Sequence, residues 1–437
     1  MGIIEERNER TKWFLEDRFG MFIHWGLYAI PARGEWIRSV EKISKEDYRQ
    51  YFDEFNPVLF NPKEWARAAK QAGMKYAVMT AKHHDGFCLF DSRFTDYKST
   101  NTRAGKDLVA EYIEAFRTEG LKTGLYYSLL DWHHDGYPAF GDPYHPMRDN
   151  EGFRNKTYDF ERYLGYLHSQ VRELCTNYGR IDIMWFDFSY KGMTGEKWRA
   201  TELVNMVRSL QPGIIIDNRL EASGEGYGSI KTRNPSVYSG DFASPEMIIP
   251  PEGVTDDDGN SIPWEACITL NNHWGYHSTD RNYKTPRLII RKLVECVSKN
   301  GNMLLNVGPD AKGRFPEESI RVLSEIGEWM KRNGKSIYNR GKSGFPKPEW
   351  GYYTQKGNLL YAHVFDGNIG ALPLVGLSGR IKKVRLLPDG SEIKLINAWN
   401  TMEYLKDAAF INFGPVEGDT YPLPDETDTV VEIELSF

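Results

Sequence analysis

The chain has 437 residues, 40% of them hydrophobic and 27% charged; this is ordinary globular usage at a length that suits a large barrel-type domain plus a smaller companion. A net charge of -6 and a pI near 6.0 exclude the basic footprint that nucleic acid or an anionic membrane surface needs. The start, Met1-Gly2-Ile3-Ile4-Glu5-Glu6-Arg7, has no apolar signal core and no run reaches a membrane span, so the expectation is a soluble protein, cytoplasmic unless a leader was removed, and then periplasmic or secreted.

The elements alternate from the beginning. Phe19 to His24 reads as a buried strand, and the polar segment after it, through Glu35-Trp36, is long enough to fold back over the strand end. Asn61-Pro62-Lys63-Glu64 announces a helix, with Asn61 as cap, Pro62 at the first helical position and Glu64 completing a capping box. That helix stops at Gly73, and Tyr76 to Lys82 is a second strand leading into His83-His84-Asp85-Gly86-Phe87. A helix from Lys106 to Glu119 precedes the third strand, Lys122 to Leu129, and a long helix from Thr157 to Asn177 precedes the fourth.

The fourth strand, Ile181-Asp182-Ile183-Met184-Trp185-Phe186-Asp187-Phe188, is almost wholly apolar, which predicts burial on both faces of a parallel sheet. A carboxylate at its outgoing end is costly to bury without a task or a partner, and this singles out Asp187. The purely structural reading is a helix cap or a partner for an arginine. A helix from Glu196 to Leu210, strands at Gly213 to Arg219, Ala266 to Leu270 and Asn302 to Val307, and helices at Thr285 to Lys299 and Pro316 to Asn333 continue the alternation. Between the fifth and sixth strands, Leu220 to Pro263 has little periodicity and much Gly, Pro and acid; irregular loops of that length tend to be functional.

Strand and helix in alternation predict an α/β fold, a TIM-like (β/α) barrel with room for one irregular unit, over residues 1–342. Past a linker-like Gly344-Phe345-Pro346-Lys347-Pro348, short alternating runs such as Leu359 to Phe365, Ile381 to Leu387 and Val430 to Leu435 predict an antiparallel β-sandwich over 343–437, with no chemistry of its own. Cys88, Cys175, Cys267 and Cys296 form no CxxC pair, so buried free thiols are expected rather than a disulfide or metal framework.

The outgoing strand ends of a parallel barrel converge on one mouth. Collected there are His24, Glu35, Trp36, His83, His84, Tyr126, Tyr127, Asp187, Arg219, Glu246, Glu265 and Trp274. Hydrogen-bonding groups mixed with aromatics suit a neutral polyhydroxy ligand, a small molecule or a glycan, and an aromatic content of 14% fits stacking on sugar faces. Cleaving a glycosidic bond also needs two carboxyl groups. Asp187 can be one, and Glu246 or Glu265 the other.

Two other classes compete. His83-His84-Asp85 with His24 could form a metal centre, but neighbouring strand residues face opposite ways unless the strand has ended, and no His-x-His follows the first strand. No metal and no cofactor is therefore expected. A sugar-binding module without chemistry would need such a mouth but no carboxylate pair. The second histidine pair, in Asp131-Trp132-His133-His134-Asp135-Gly136, reads as surface decoration.

With these residues assembled, the sequence resembles the retaining alpha-L-fucosidases of glycoside hydrolase family 29. The resemblance is carried by Phe-Gly-Met-Phe-Ile-His-Trp-Gly (19 to 26), Gly34-Glu35-Trp36, Ala-Lys-His-His-Asp-Gly-Phe (81 to 87), Gly124-Leu125-Tyr126-Tyr127-Ser128, Trp185-Phe186-Asp187, Asn218-Arg219, and Trp264-Glu265 through Asn272-His273-Trp274-Gly275-Tyr276. It implies a covalent glycosyl-enzyme at Asp187 and a general acid and base at Glu246, in the pattern Asp241-Phe242-x-x-x-Glu246. It also implies that His24, Glu35, Trp36, His83, His84, Tyr127 and Arg219 hold the sugar hydroxyls and that Trp274 packs on the C5-methyl side. Only one of Tyr126 and Tyr127 can face inward. Glu265 is the alternative acid, or a support at the start of its strand. A galactose-configured sugar is the alternative substrate.

Overall fold

The computed structural model describes residues 2–224, 226–396, 404–416 and 419–436. Among them seven strands form one parallel sheet in the order β5-β4-β3-β2-β1-β7-β6. They are β1 (Phe19–Ile23), β2 (Tyr76–Lys82), β3 (Lys122–Ser128), β4 (Ile183–Asp187), β5 (Ile215–Ile216), β6 (Glu265–Thr269) and β7 (Asn302–Val307). All but β5 lie within about two residues of the spans predicted from sequence; β5 keeps only two ladder residues.

The apolar strands are buried on both faces because two separate cores need them. Phe22, Val78, Tyr126, Trp185, Cys267 and Leu304 fill the interior, which Phe14 of the N-terminal helix Lys12–Asp17 joins. The alternate residues, such as Met79, Leu125, Tyr127 and Phe186, belong to the layer under the surrounding helices. Pro62 does open the helix Pro62–Gln71, but the predicted capping box does not form: the Asn61 side chain makes no cap bond, and the Glu64 amide donates to the Asn61 carbonyl at 3.0 Å.

The gap between β5 and β6 is filled from the long segment after Arg219, which the sequence shows only as irregular. Residues 242–247 lie in the place of an eighth strand, with parallel bridges from Phe242 to Asp217 and from Ala243 and Glu246 to Trp264 and Cys267. On the β6 side backbone hydrogen bonds tie it in: Glu265 N–H to Ala243 O at 2.9 Å, Cys267 N–H to Pro245 O at 3.2 Å and Met247 N–H to Cys267 O at 3.0 Å. Gly240, at φ +83°, lets the chain enter this slot, because a Cβ there would meet the Asp217 carbonyl at 2.3 Å. Asp241 then anchors it, accepting from the Ile216 amide at 2.8 Å and pairing with Arg10 at 2.9 Å.

The C-terminal part forms a five-stranded antiparallel sheet, β12 (Ile381–Leu386), β15 (Thr429–Leu435), β10 (Leu359–Val364), β9 (Gly351–Lys356) and β8 (Gly341–Lys342), facing a three-stranded sheet of β11 (Leu372–Val375), β14 (Ala408–Ile411) and β13 (Leu395–Ile396) among the described residues. Leu360, Val431 and Ile433 of one sheet share a core with Leu372, Leu374 and Ile411 of the other. β8 places the first residues of this sheet just ahead of position 343. The barrel helix Pro286–Ser298 packs against it, with Arg291 donating to the Thr427 carbonyl at 2.9 Å. Among the described residues no helix is long and apolar enough to cross a membrane.

Candidate active site

At the outgoing end of the barrel a small chamber of about 90 Å³ is lined by His24, Trp36, His83, His84, Tyr126, Trp185, Asp187, Phe188, Glu246 and Trp274. Asp187 ends β4, where Phe188 turns the chain away at φ +84°. Met247, after Glu246, does the same at φ +56°. Positive φ is uncommon for residues with side chains, and here it breaks the strand immediately after each carboxylate.

One guanidinium holds both acids. Arg219 Nη1 lies 2.9 Å from Asp187 Oδ1, and Nη2 lies 3.0 Å from Glu246 Oε2. Its position is fixed by Ser244, which accepts from Nε at 2.9 Å and from Nη2 at 3.0 Å, and by the Trp185 ring beneath it at 4.8 Å. Burial works against this cation, but Asp187 and Glu246 on its two sides raise its pKa and keep it charged. The second Asp187 oxygen accepts the Tyr126 hydroxyl at 2.7 Å. Burial pushes the Asp187 carboxyl up to about 6, Arg219 pulls it down, Glu246 raises it again and Tyr126 lowers it. Desolvation outweighs the Arg219 partner, so the Asp187 carboxyl keeps its proton to higher pH than an ordinary aspartate.

The three histidines are neutral because they are buried. Burial lowers His24 to about 3 and takes His83 and His84 well below the usual imidazole range. His24 Nδ1 faces Asn306 Oδ1 at 2.7 Å, and Asn306 Nδ2 donates to the Trp274 carbonyl at 2.7 Å. The amide oxygen must therefore accept from His24, which leaves Nε2 as an acceptor for a ligand hydroxyl. His84 Nδ1 is held in the same way by Ser128 Oγ at 2.7 Å, since that hydroxyl donates onward to the Leu130 carbonyl. The condition set by strand geometry is met: β2 ends at Lys82, so the adjacent His83 and His84 turn to the same chamber, with ring centres 4.0 Å apart. Among the described residues no group of three or more His, Cys, Asp or Glu is arranged to hold a metal ion.

Three predicted contacts lie elsewhere. Tyr127 points outward into the layer under the helices, where its hydroxyl donates to Gln170 Oε1 at 2.8 Å; Tyr126 is the inward residue, because side chains alternate along β3. Glu265 opens β6 rather than ending it, and is sealed inside the barrel with Tyr76, whose hydroxyl donates to Oε2 at 2.5 Å. Burial pushes its carboxyl up to about 8, and it lines neither the chamber nor the cleft outside it. Glu35 is also buried and does not line the chamber. It accepts the Gly275 amide at 2.8 Å and so fixes the turn that presents Trp274.

Outside the chamber is a wider cleft of about 520 Å³, with Tyr144, Phe188, Tyr190, Lys191 and Met247 in its wall. Arg219 and Glu246 line it as well, so Glu246 stands in the wall of both spaces. The supports Ser128, Ser244 and Asn306 and the cleft residues Tyr144 and Met247 carry no sequence signal of their own. Phe188 could have been found, since it follows Asp187 directly.

The family model described as Alpha-L-fucosidase matches residues 4–335. Alpha-L-fucosidase isoenzyme 1 from Paenibacillus thiaminolyticus is 61% identical, with a TM-score of 0.95 over 99% of this chain and 100% of that one. A glycoside hydrolase family 29 alpha-L-fucosidase from Bacteroides thetaiotaomicron, solved as a trapped covalent intermediate with 2-fluoro-fucosyl fluoride, is 31% identical, with a TM-score of 0.82 over 98% of this chain and 96% of that one. Human plasma alpha-L-fucosidase is 29% identical over 378 residues, 80% of this chain and 75% of that protein. On this footing the chain belongs to the alpha-L-fucosidase family of glycoside hydrolases.

Proposed function

We propose that this chain is an exo-acting alpha-L-fucosidase that removes terminal fucose from oligosaccharides or glycoconjugates with retention, Asp187 being its nucleophile and Glu246 its acid and base. An Asp187 oxygen attacks the anomeric carbon as the bond to the leaving oxygen breaks, and Glu246 delivers its proton to that oxygen. In the second step Glu246 takes a proton from water, the water oxygen bonds to the anomeric carbon, and the bond to Asp187 breaks.

The observation that carries this reading is the position of Glu246. It shares Arg219 with Asp187 and faces both the chamber and the outer cleft, as an acid acting on the oxygen between sugar and aglycone must. His24 and His84 supply acceptors for ring hydroxyls, and Trp274 an apolar face. The Bacteroides relative trapped with a fucosyl fluoride supports fucose as the sugar.

The test is hydrolysis of paired aryl glycosides, with the first-formed anomer read by proton NMR. The reading expects turnover of the alpha-L-fucoside and initial release of the alpha anomer. Initial release of the beta anomer, or a preference for the beta-D-galactoside, contradicts it.

A further inference from the structure

A second cavity, of about 280 Å³, has Trp132 in its wall. The other edge of that indole packs on Trp36 and His84, each at 5.4 Å, so the cavity stands one ring away from the chamber. Arg38, Lys45, His134, His145 and Lys156 also line it.

Arg38 is the anomaly. It is 2% exposed, yet among the described residues it forms no ion pair with a carboxylate. Its guanidinium gives one hydrogen bond, from Nη1 to the Asp85 carbonyl at 3.1 Å, lies over the Tyr48 ring at 5.0 Å, and leaves its Nε–H without an acceptor. Of the acids nearby, Asp131 pairs with Lys82 at 3.0 Å, while Asp85 stands within electrostatic reach of Arg38 but takes its side-chain hydrogen bonds from the Tyr48 hydroxyl and the Phe87 amide. A buried guanidinium whose donors meet no carboxylate directly gains from an anion that hydrogen-bonds to it.

The rest of the wall has matching chemistry. His134 Nδ1 accepts the Gly136 amide at 3.1 Å, and His145 Nδ1 accepts the Met147 amide at 3.0 Å. Each neutral ring therefore carries its proton on Nε2 and can only donate from there. Lys156, exposed at the rim, rests on the Phe153 ring. The lining carboxylates, Glu46 and Asp135, are exposed, and Asp135 is paired with Lys45 at 2.9 Å. Donors thus occupy the wall, and acids only the rim.

We propose that this cavity binds an anionic group, a carboxylate or sulfate, carried on a molecule of monosaccharide size, with Arg38 as its counter-ion and His134, His145 and Lys156 as further donors. The size follows from a volume just below the range of about 300 to 1,000 Å³ usual for small-molecule sites, too large for a bare ion. The loop from Asp131 to Gly136, which the sequence suggests is decoration, then becomes a binding element.

The test is calorimetric titration of the full chain with glucuronate, inorganic sulfate and glucose, which does not depend on the fucosidase reading. Glucuronate is expected to bind saturably and glucose not at all. Loss of one charge-assisted bond in Lys156→Glu or His145→Phe should weaken glucuronate about 10-fold or more, and Arg38→Met by up to about 100-fold. Lys156 lies at the solvent rim, so its variant keeps the test open where Arg38→Met fails to fold. Glucuronate binding tighter than sulfate assigns the cavity to acidic sugars, and equal binding assigns it to any small oxyanion. No saturable binding of either anion, equal binding of glucose, or affinity unchanged across all three variants overturns the proposal.

Discussion

The two sides of the barrel wall that meet at Arg219 are built by different means. From β1 to β4 the wall is a continuous parallel ladder, and Asp187 emerges at its end with both oxygens held. Between β5 and β6 the wall is a segment hung on Gly240 and Asp241, and Glu246 rides on it with its side chain 38% exposed. The first arrangement fixes the proposed nucleophile rigidly in a desolvated place. The second leaves the proposed proton donor at the boundary between chamber and cleft, where a departing aglycone and an incoming water would pass.

Breaking the rigid side should have the largest effect. Asp187→Ala is expected to lower kcat/KM on an aryl alpha-L-fucoside by about five orders of magnitude, the scale of losing a covalent nucleophile. Breaking the irregular side should cost about two to four orders on a poor leaving group and clearly less on an activated aryl fucoside, as general acid catalysis requires. A harmless Glu246→Ala beside a crippling Glu265→Gln would reverse the assignment of the acid.

Sharpening the comparison means titrating the clamp between the two sides. Asp187 must be ionised to attack, and burial sets its pKa near 6, so kcat/KM should fall about tenfold per pH unit below that point. Arg219 lowers this pKa, so Arg219→Met should move the acid limb upward; a limb that stays in place would show that the guanidinium does not tune Asp187.

Glu265 makes the contrast with a buried acid at the other end of the barrel. Its folded pKa of about 8 lies above its ordinary value of 4.5. The folded state then keeps a proton that the unfolded chain releases, so wild-type stability should fall as pH rises between those values and level off above 8. Glu265→Gln should remove a slope of up to about 1.4 kcal/mol per pH unit in denaturant unfolding. The smallest expected effect is at Tyr127, where Phe should cost about 1 kcal/mol of stability through the lost Gln170 bond and leave kcat/KM unchanged, whereas Tyr126→Phe should lower kcat.

The barrel was legible because its strands are buried on both faces, so each reads as an apolar run, and Asp187 stood out as a charge at the end of one. The eighth wall position was not, because residues 242–247 pair through isolated bridges and have neither alternation nor an apolar run. Tyr127 was misassigned for want of register: a one-residue shift exchanges the faces of β3, and nothing in Tyr126-Tyr127 itself sets the phase. Of the two readings of Glu265, the place at the start of its strand is the one β6 gives it, and this takes the acid away from the mouth. The supports Asn306 and Ser128 were invisible, since a single polar residue in a buried strand gives no sign of which imidazole it will hold.

The most direct measurement of the central claim is peptide mapping by mass spectrometry after inactivation with 2-fluoro-fucosyl fluoride. The account predicts one fluorofucosyl adduct, on Asp187, which persists longer in Glu246→Ala because the base that activates the releasing water is gone. An adduct on Glu265 or another carboxylate, or continued turnover with no adduct, would contradict it.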